Sequence, residues 1–130
     1  YPGDTYAKRG IDIDIGIPRN TSDTVYLLKL KGALDLAKQK FTPDIIYYNA
    51  GTDILENDPL GALSISPKAV VQRDEMVFEY AITNNIPIVM VMSGGYQQTN
   101  ARVIADSIKN LFDKLKLKNV AYANFQKNLA

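Results

Sequence analysis

The chain has 130 residues, 46% of them hydrophobic and 22% charged, which is the size and balance of one ordinary soluble domain able to bury a core. Its 15 basic and 14 acidic residues leave a formal net charge of +1, so no electrostatic footprint for nucleic acid or an anionic membrane is present and no direct nucleic-acid binding is expected. There is no cysteine and no histidine, which excludes disulfides, thiolate metal sites and any imidazole acting from this chain as general base or metal ligand.

No apolar run approaches the ~20 residues of a membrane span, and there is no basic-then-apolar leader. The chain starts Tyr1-Pro2-Gly3 without a methionine and reads as the later part of a longer protein. Residues 1–10 carry Pro2, Gly3 and Asp4 and read as a loop. Ile11, Ile13, Ile15 and Ile17 alternate with Asp12, Asp14 and Gly16, the pattern of a strand with one apolar face, stopped by Pro18. Residues 19–23 are turn formers, and Ser22 or Asp23 is placed to cap the helix after them.

Leu27, Leu30, Leu34, Ala37 and Phe41 recur at spacings of 3, 4, 3 and 4, one face of a helix. Thr42-Pro43 ends that helix, and residues 45–49 form a buried strand that breaks at Ala50-Gly51 and delivers Asp53 into a loop. At 16 residues, the connection 50–65 exceeds the usual length, and loops that long in compact domains are usually functional or disordered. Ser66-Pro67 is a helix start, a capping hydroxyl followed by proline at the first helical position. Val70, Val77, Phe78, Ala81 and Ile82 mark the buried side of this helix, up to Asn84-Asn85. Residues 86–92 are a second strand, too uniformly apolar to keep one face in water. It breaks at Ser93-Gly94-Gly95-Tyr96. Thr99 or Asn100 starts a last helix with Val103, Ile104, Ile108, Leu111, Phe112 and Leu115 inward. Lys114, Lys116 and Lys118 read as its solvated face and exit, and residues 120–125 as a short edge strand.

Strand and helix alternate, and two strands are apolar throughout. The pattern predicts an α/β fold, a parallel sheet covered by helices on both faces. In open parallel sheets ligands bind beyond the carboxyl ends of the strands. The breaks at Gly51-Thr52-Asp53 and Gly94-Gly95-Tyr96 therefore fall on one sheet edge.

Asp53 has a structural reading, as a turn or cap residue, and a chemical one, as a hard oxygen ligand suited to zinc, manganese or magnesium. Glu56 reads as solvated and Asp58-Pro59 as a common turn; with Asp53 they do not match the ligand positions of a calcium loop. Tyr96 reads either as a rim aromatic or as a phenol aimed at a developing oxyanion, with Gly94 and Gly95 allowing close backbone approach. The glycine pair before a helix also suggests a phosphate cradle, although neither the dinucleotide-binding nor the P-loop pattern is present.

The run Asn49-Ala50-Gly51-Thr52-Asp53-Ile54-Leu55-Glu56-Asn57-Asp58-Pro59-Leu60-Gly61, the segment Leu63-Ser64-Ile65-Ser66-Pro67, the triplet Arg73-Asp74-Glu75, the run Ser93-Gly94-Gly95-Tyr96-Gln97, and Ala101-Arg102 with Ile104-Ala105-Asp106-Ser107 resemble the class IV histone deacetylases. The resemblance runs from Tyr1-Pro2-Gly3-Asp4 through about Phe112. It implies an arginase/deacetylase-type three-layer α/β/α fold with a mostly parallel sheet, incomplete here, with residues 1–130 the C-terminal part of a single deacetylase domain. It implies zinc-dependent hydrolysis of the amide of acylated lysine side chains, on histones or other proteins, in the nucleus or cytoplasm. Carried over residue by residue, the resemblance makes Asp53 a ligand of catalytic Zn2+ and Tyr96 the phenol that polarises the scissile carbonyl. It gives Gly94 and Gly95 a place in the acyl-lysine tunnel and Leu60 one in the pocket near the metal.

Family members also carry a histidine pair for acid and base work and an Asp-x-His pair for the other zinc ligands, all upstream of this region. The chain has none of those histidines, so it is expected to be inert alone and to need the missing N-terminal half of the same domain. Two alternatives stand beside this reading. One is a truncated isoform or pseudoenzyme that serves as a protein-interaction scaffold; the other is a deacetylase of small molecules such as acetylated polyamines.

Overall fold

The computed structural model describes residues 4–117 and contains two short parallel strands. Strand β1 (Ile46–Asn49) pairs with β2 (Ile88–Val91) in the register Ile46 to Ile88 and Asn49 to Val91. Helix α1 (Asp23–Lys40) precedes β1, α2 (Pro67–Thr83) makes the crossover between the strands, and α3 (Asn100–Lys114) follows β2. A single 3-10 turn, Ala7–Gly10, stands at the start. Helix α2 packs against both other helices. Among the described residues, no helix is long and apolar enough to cross a membrane.

Local sequence explains where the helices start. The Ser66 hydroxyl accepts a hydrogen bond from the Ala69 N–H at 3.2 Å, and Pro67 occupies the first turn of α2, where its missing N–H costs nothing. Helix α1 departs from expectation. Ser22 stands at its N-cap without a side-chain bond, and Asp23 reaches across to α2, accepting from the Ser66 N–H at 2.8 Å and the Ser66 hydroxyl at 2.6 Å. One carboxylate thus ties the starts of two helices that are 43 residues apart in sequence.

The alternating segment 11–17 is not a strand. A strand needs a neighbour for its N–H and C=O groups, and the described sheet, made of β1 and β2, offers none there. The segment runs along α1, where Lys29 donates to the Gly16 carbonyl at 3.1 Å and Lys40 to the Asp12 carbonyl at 3.1 Å. Ile15 and Ile17 line a shallow cleft with Tyr26, Leu30 and Ala33. The expected strand at 120–125 lies outside the described residues.

The core lies beneath the long connection rather than beneath the strands. Leu55, Ile65, Ala69, Val70 and Val103 form one buried cluster, with Tyr26, Leu27, Ile54 and Leu63 packed against it. The connection 50–65 is itself part of that core: Leu55 and Ile65 form a parallel bridge, and the Glu56 N–H donates to the Ile65 carbonyl at 3.0 Å. Pairing of this kind inside the fold is what burial of a backbone requires.

Two burial expectations are corrected. In α3 the buried stripe is Val103, Ser107 and Leu111, whereas Ile108 and Phe112 are exposed. The small Ser107 lets α3 approach α2, and that turns Ile108 and Phe112 out of the contact. In α2 the buried side takes in Arg73 and Asp74 with Ala69, Val70, Val77 and Ala81, and Ile82 is exposed. Glu75 joins the two helices, accepting from Lys114 at 2.6 Å and Asn110 at 3.0 Å. The Lys114 bond holds the Glu75 carboxyl below its ordinary pKa, against the effect of partial burial.

Among the described residues, the strands are also not covered on both faces. Along β1 and β2 half-buried and exposed residues alternate, and Tyr47, Val89 and Val91 face outward, Tyr47 at 73% exposure. Ile45, two residues before Tyr47, extends this open apolar surface at the start of β1. A contiguous patch of this kind on a sheet marks a surface that another layer covers. Expressed as these 130 residues, the chain is expected to bind a hydrophobic dye strongly and to unfold without a sharp transition. A cooperative, two-state thermal transition from a monomer would contradict this.

Candidate active site at the carboxyl ends of the strands

The two strand-end loops are zipped together. Beyond the sheet, the Ala50 N–H donates to the Val91 carbonyl at 2.8 Å and the Thr52 N–H to the Gly94 carbonyl at 2.6 Å. The pairing of β1 and β2 therefore continues into the segments that carry Asp53 and Tyr96. Ser93 donates to the Asn49 side-chain oxygen at 2.5 Å, closing the same edge.

Glycine is required where the two loops touch. A Cβ on Gly94 would overlap the Asp53 carboxylate, so the acid lies directly against the Gly94 backbone. Gly95 has φ +144°, a conformation that L side chains rarely adopt, and a Cβ there would overlap the Thr52 hydroxyl and stand 2.6 Å from Asn100 Nδ2. A Cβ on Gly61 would strike the Asp53 carbonyl oxygen. Three close backbone approaches thus converge on Asp53 and its neighbour Thr52.

The residues expected at a site all lie on these two loops. Asp53 is half-buried against Gly94, and Gly95 sits on Thr52. Tyr96 comes next with its side chain 55% exposed, and Leu60 is exposed on the facing loop. Glu56 is exposed, as a solvated acid should be. Asp58 is more than a turn residue. It is only 8% exposed; its Oδ1 accepts from the Leu60 and Gly61 N–H groups at 3.0 and 2.9 Å, and its Oδ2 accepts from the Tyr96 N–H at 2.8 Å.

Beneath the loop lies a charged network that the residue pattern did not single out as part of a site. Arg73, 4% exposed, donates to the Gly51 carbonyl at 2.6 Å and the Ala50 carbonyl at 3.1 Å. Its guanidinium is paired with Asp74 at 2.8 Å and lies 5.7 Å from the centre of the Tyr48 ring. Asp74 also accepts from the Tyr48 and Ser107 hydroxyls, each at 2.5 Å. Strand β1, helices α2 and α3 and the loop therefore meet at one ion pair. Burial disfavours the Arg73 cation, but Tyr48 and Asp74 beside it outweigh that and raise its pKa. Burial pushes the phenols of Tyr48 and Tyr26 above their ordinary range, with Arg73 pulling the other way. The spacing carries a usable signal: positions 70, 73, 74, 77 and 81 share one helical face, which puts Arg73 and Asp74 in the core.

Asp53 is the group suited to a hard metal ion, but the residues of this chain do not make a zinc site by themselves. Catalytic zinc takes three protein ligands. Among the described residues no group of three His, Cys, Asp or Glu side chains is placed to share a metal ion. The arrangement offers one carboxylate, an adjacent glycine-lined backbone and, on the next residue, an exposed tyrosine.

The fold is of the arginase/deacetylase type. It is similar to the acetylpolyamine aminohydrolase of Burkholderia pseudomallei, with TM-score 0.65 at 19% identity, covering 77% of this chain and 28% of that one. It is also similar to a histone deacetylase homologue of Aquifex aeolicus, with TM-score 0.63 at 23% identity, covering 79% of this chain and 26% of that one. The chain belongs to the histone deacetylase family, whose domain model matches residues 1–112. It is 52% identical over 111 residues to histone deacetylase 2 of Arabidopsis thaliana, a match covering 85% of this chain and 29% of that protein. An uncharacterized protein of Picosynechococcus is 30% identical over 89 residues, covering 68% of this chain and 30% of that protein. The chain thus spans under a third of the length of these relatives.

Removing Asp74 would strand a buried guanidinium and two hydroxyls. In the full-length protein, Asp74→Ala is expected to cost about 3–5 kcal/mol of stability, as breaking a buried pair does, measured by denaturant unfolding. A loss under about 1 kcal/mol would show that the pair is not what secures the loop.

Proposed function

We propose that this chain is the C-terminal part of a zinc-dependent lysine deacylase of the class IV kind, hydrolysing the amide of acetylated or longer-acylated lysine side chains on histones or other proteins. The observation that carries this reading is the seating of Asp53 against Gly94, two residues before Tyr96, on two strand-end loops joined by backbone pairing. The identity of 52% with a plant histone deacetylase over 111 residues supports its deacetylase part.

In this reading Asp53 contributes one carboxylate oxygen to the metal, and the preceding part of the domain contributes the other ligands and the general base. Bound zinc would supply a Lewis acid for the acyl carbonyl and lower the pKa of a water towards ~7. The chain's own residues act on the substrate. Gly94 and Gly95, seated on Asp53 and Thr52, present bare backbone along which the extended acyl-lysine stem would lie, and Leu60 would give an apolar wall to the same channel. Tyr96 donates its phenolic hydrogen to the carbonyl oxygen as negative charge develops on it, a contact that is stronger in the transition state than in the ground state. Cleavage of the C–N bond releases the lysine as a free amine and the acyl group as its carboxylate.

Tyr96→Phe in the full-length protein keeps the ring and removes the donor. Turnover of an acetyl-lysine peptide is expected to fall on the order of a hundredfold or more, while direct binding of the same peptide stays within a few-fold. Turnover near the wild-type level would overturn the role given to Tyr96.

A further inference from the structure

The weakest-held part of the site is the group that must be aimed most accurately. The Tyr96 side chain is 55% exposed, so packing does not fix it, and the two residues before it are glycines, one of them at φ +144°. What fixes the Tyr96 backbone is its N–H, donated at 2.8 Å to Oδ2 of Asp58, a residue 38 positions earlier and 8% exposed. The other oxygen of the same carboxylate gathers the Leu60 and Gly61 N–H groups. A second tie runs parallel to it, from the Gln97 side-chain amide to the Glu56 carbonyl at 2.6 Å.

We propose that Asp58 is a positioning residue for the reaction: it sets the aim of the Tyr96 phenol and fixes it to the loop that bears Leu60, so that the two walls of the substrate channel move as one unit. The inference rests on the role given to Tyr96 under the proposed function. Its chemical basis is that a carboxylate is an acceptor at both oxygens, and all three of its partners here are backbone donors. No neutral isostere can serve both sides. An asparagine at 58 would keep one oxygen, and its amino group would face either Tyr96 N–H or the Leu60 and Gly61 pair, donor against donor, whichever way the amide turned. A displacement of about 1 Å at a group of this kind costs on the order of a hundredfold in rate.

The test is Asp58→Asn in the full-length protein, alone and combined with Tyr96→Phe. The expected result is a fall in kcat of about tenfold to a hundredfold with KM within about threefold and zinc content unchanged. In the Tyr96→Phe background the same substitution is expected to lower the residual rate little further, because the phenol it aims is already gone. Equal losses in both backgrounds, or a kcat within twofold of wild type, would overturn the assignment. If Tyr96→Phe is itself fully active, the role of Tyr96 and this inference both fail; if it is inactive while Asp58→Asn is active, this inference alone fails. Amide hydrogen exchange on the unmodified protein reads the same bond without a variant. The Tyr96 amide is expected to be protected although its side chain is exposed, and exchange at an unprotected rate would overturn the proposal.

Discussion

The turn after β1 is held from below by one guanidinium. Arg73 fills the Ala50 and Gly51 carbonyls, and it stands where it does because Asp74, in turn, is gripped by Tyr48 and Ser107. Charges this deep are costly to bury, and a hydrophobic replacement of the pair would be no less stable in many proteins. What the pair supplies here is direction. A buried backbone carbonyl just past the end of a strand needs a donor from somewhere, and Arg73 provides two in the rigid fork that its planar group allows. The strand then has to end at Asn49, and the next residues must lift Asp53 to the sheet edge.

From that constraint the remaining geometry is built. With Gly51 fixed, the Thr52 N–H reaches the Gly94 carbonyl, and the second loop is drawn alongside the first. The approach is so close that side chains at Gly94 and Gly95 have no room. Asp58 then closes the far side by taking the Tyr96 N–H. The segments that carry Asp53 and Tyr96 are thus held together by a chain of backbone contacts, with glycine where a side chain would strike Asp53 or Thr52.

The main features of this edge are legible in the residues. The strand at 46–49, the start of α2 at Ser66-Pro67 and the break at Gly94-Gly95 each carry a local signal, in apolar runs, a cap and a glycine pair, that does not depend on the rest of the fold. The segment 11–17 carries an equally clean alternation and is not a strand, because alternation reports which side chains are apolar and not whether a neighbouring strand exists. Hydrophobicity alone would turn Ile108 and Phe112 inward; the contact between α2 and α3 is decided by the small Ser107 and its bond to Asp74. In the sequence Asp58 has the look of an ordinary turn residue, since its Asx turn, visible in Asp58-Pro59, hides the bond to Tyr96 that only tertiary structure creates. The open face of β1 and β2 has the same origin. Strands with apolar residues on both faces expect two covering layers, and the described residues supply one.

If Asp53 is one ligand of a metal site that another part of the domain completes, metal retention must depend on both pieces. Zinc content measured by elemental mass spectrometry on three purified proteins reads this: the full-length protein, the full-length protein with Asp53→Ala, and this chain alone. About one zinc per molecule is expected in the first, as a catalytic site of three protein ligands holds, with a large loss in the second and none in the third. Stoichiometric zinc retained after Asp53→Ala, or bound by the isolated chain, would contradict the assignment of Asp53.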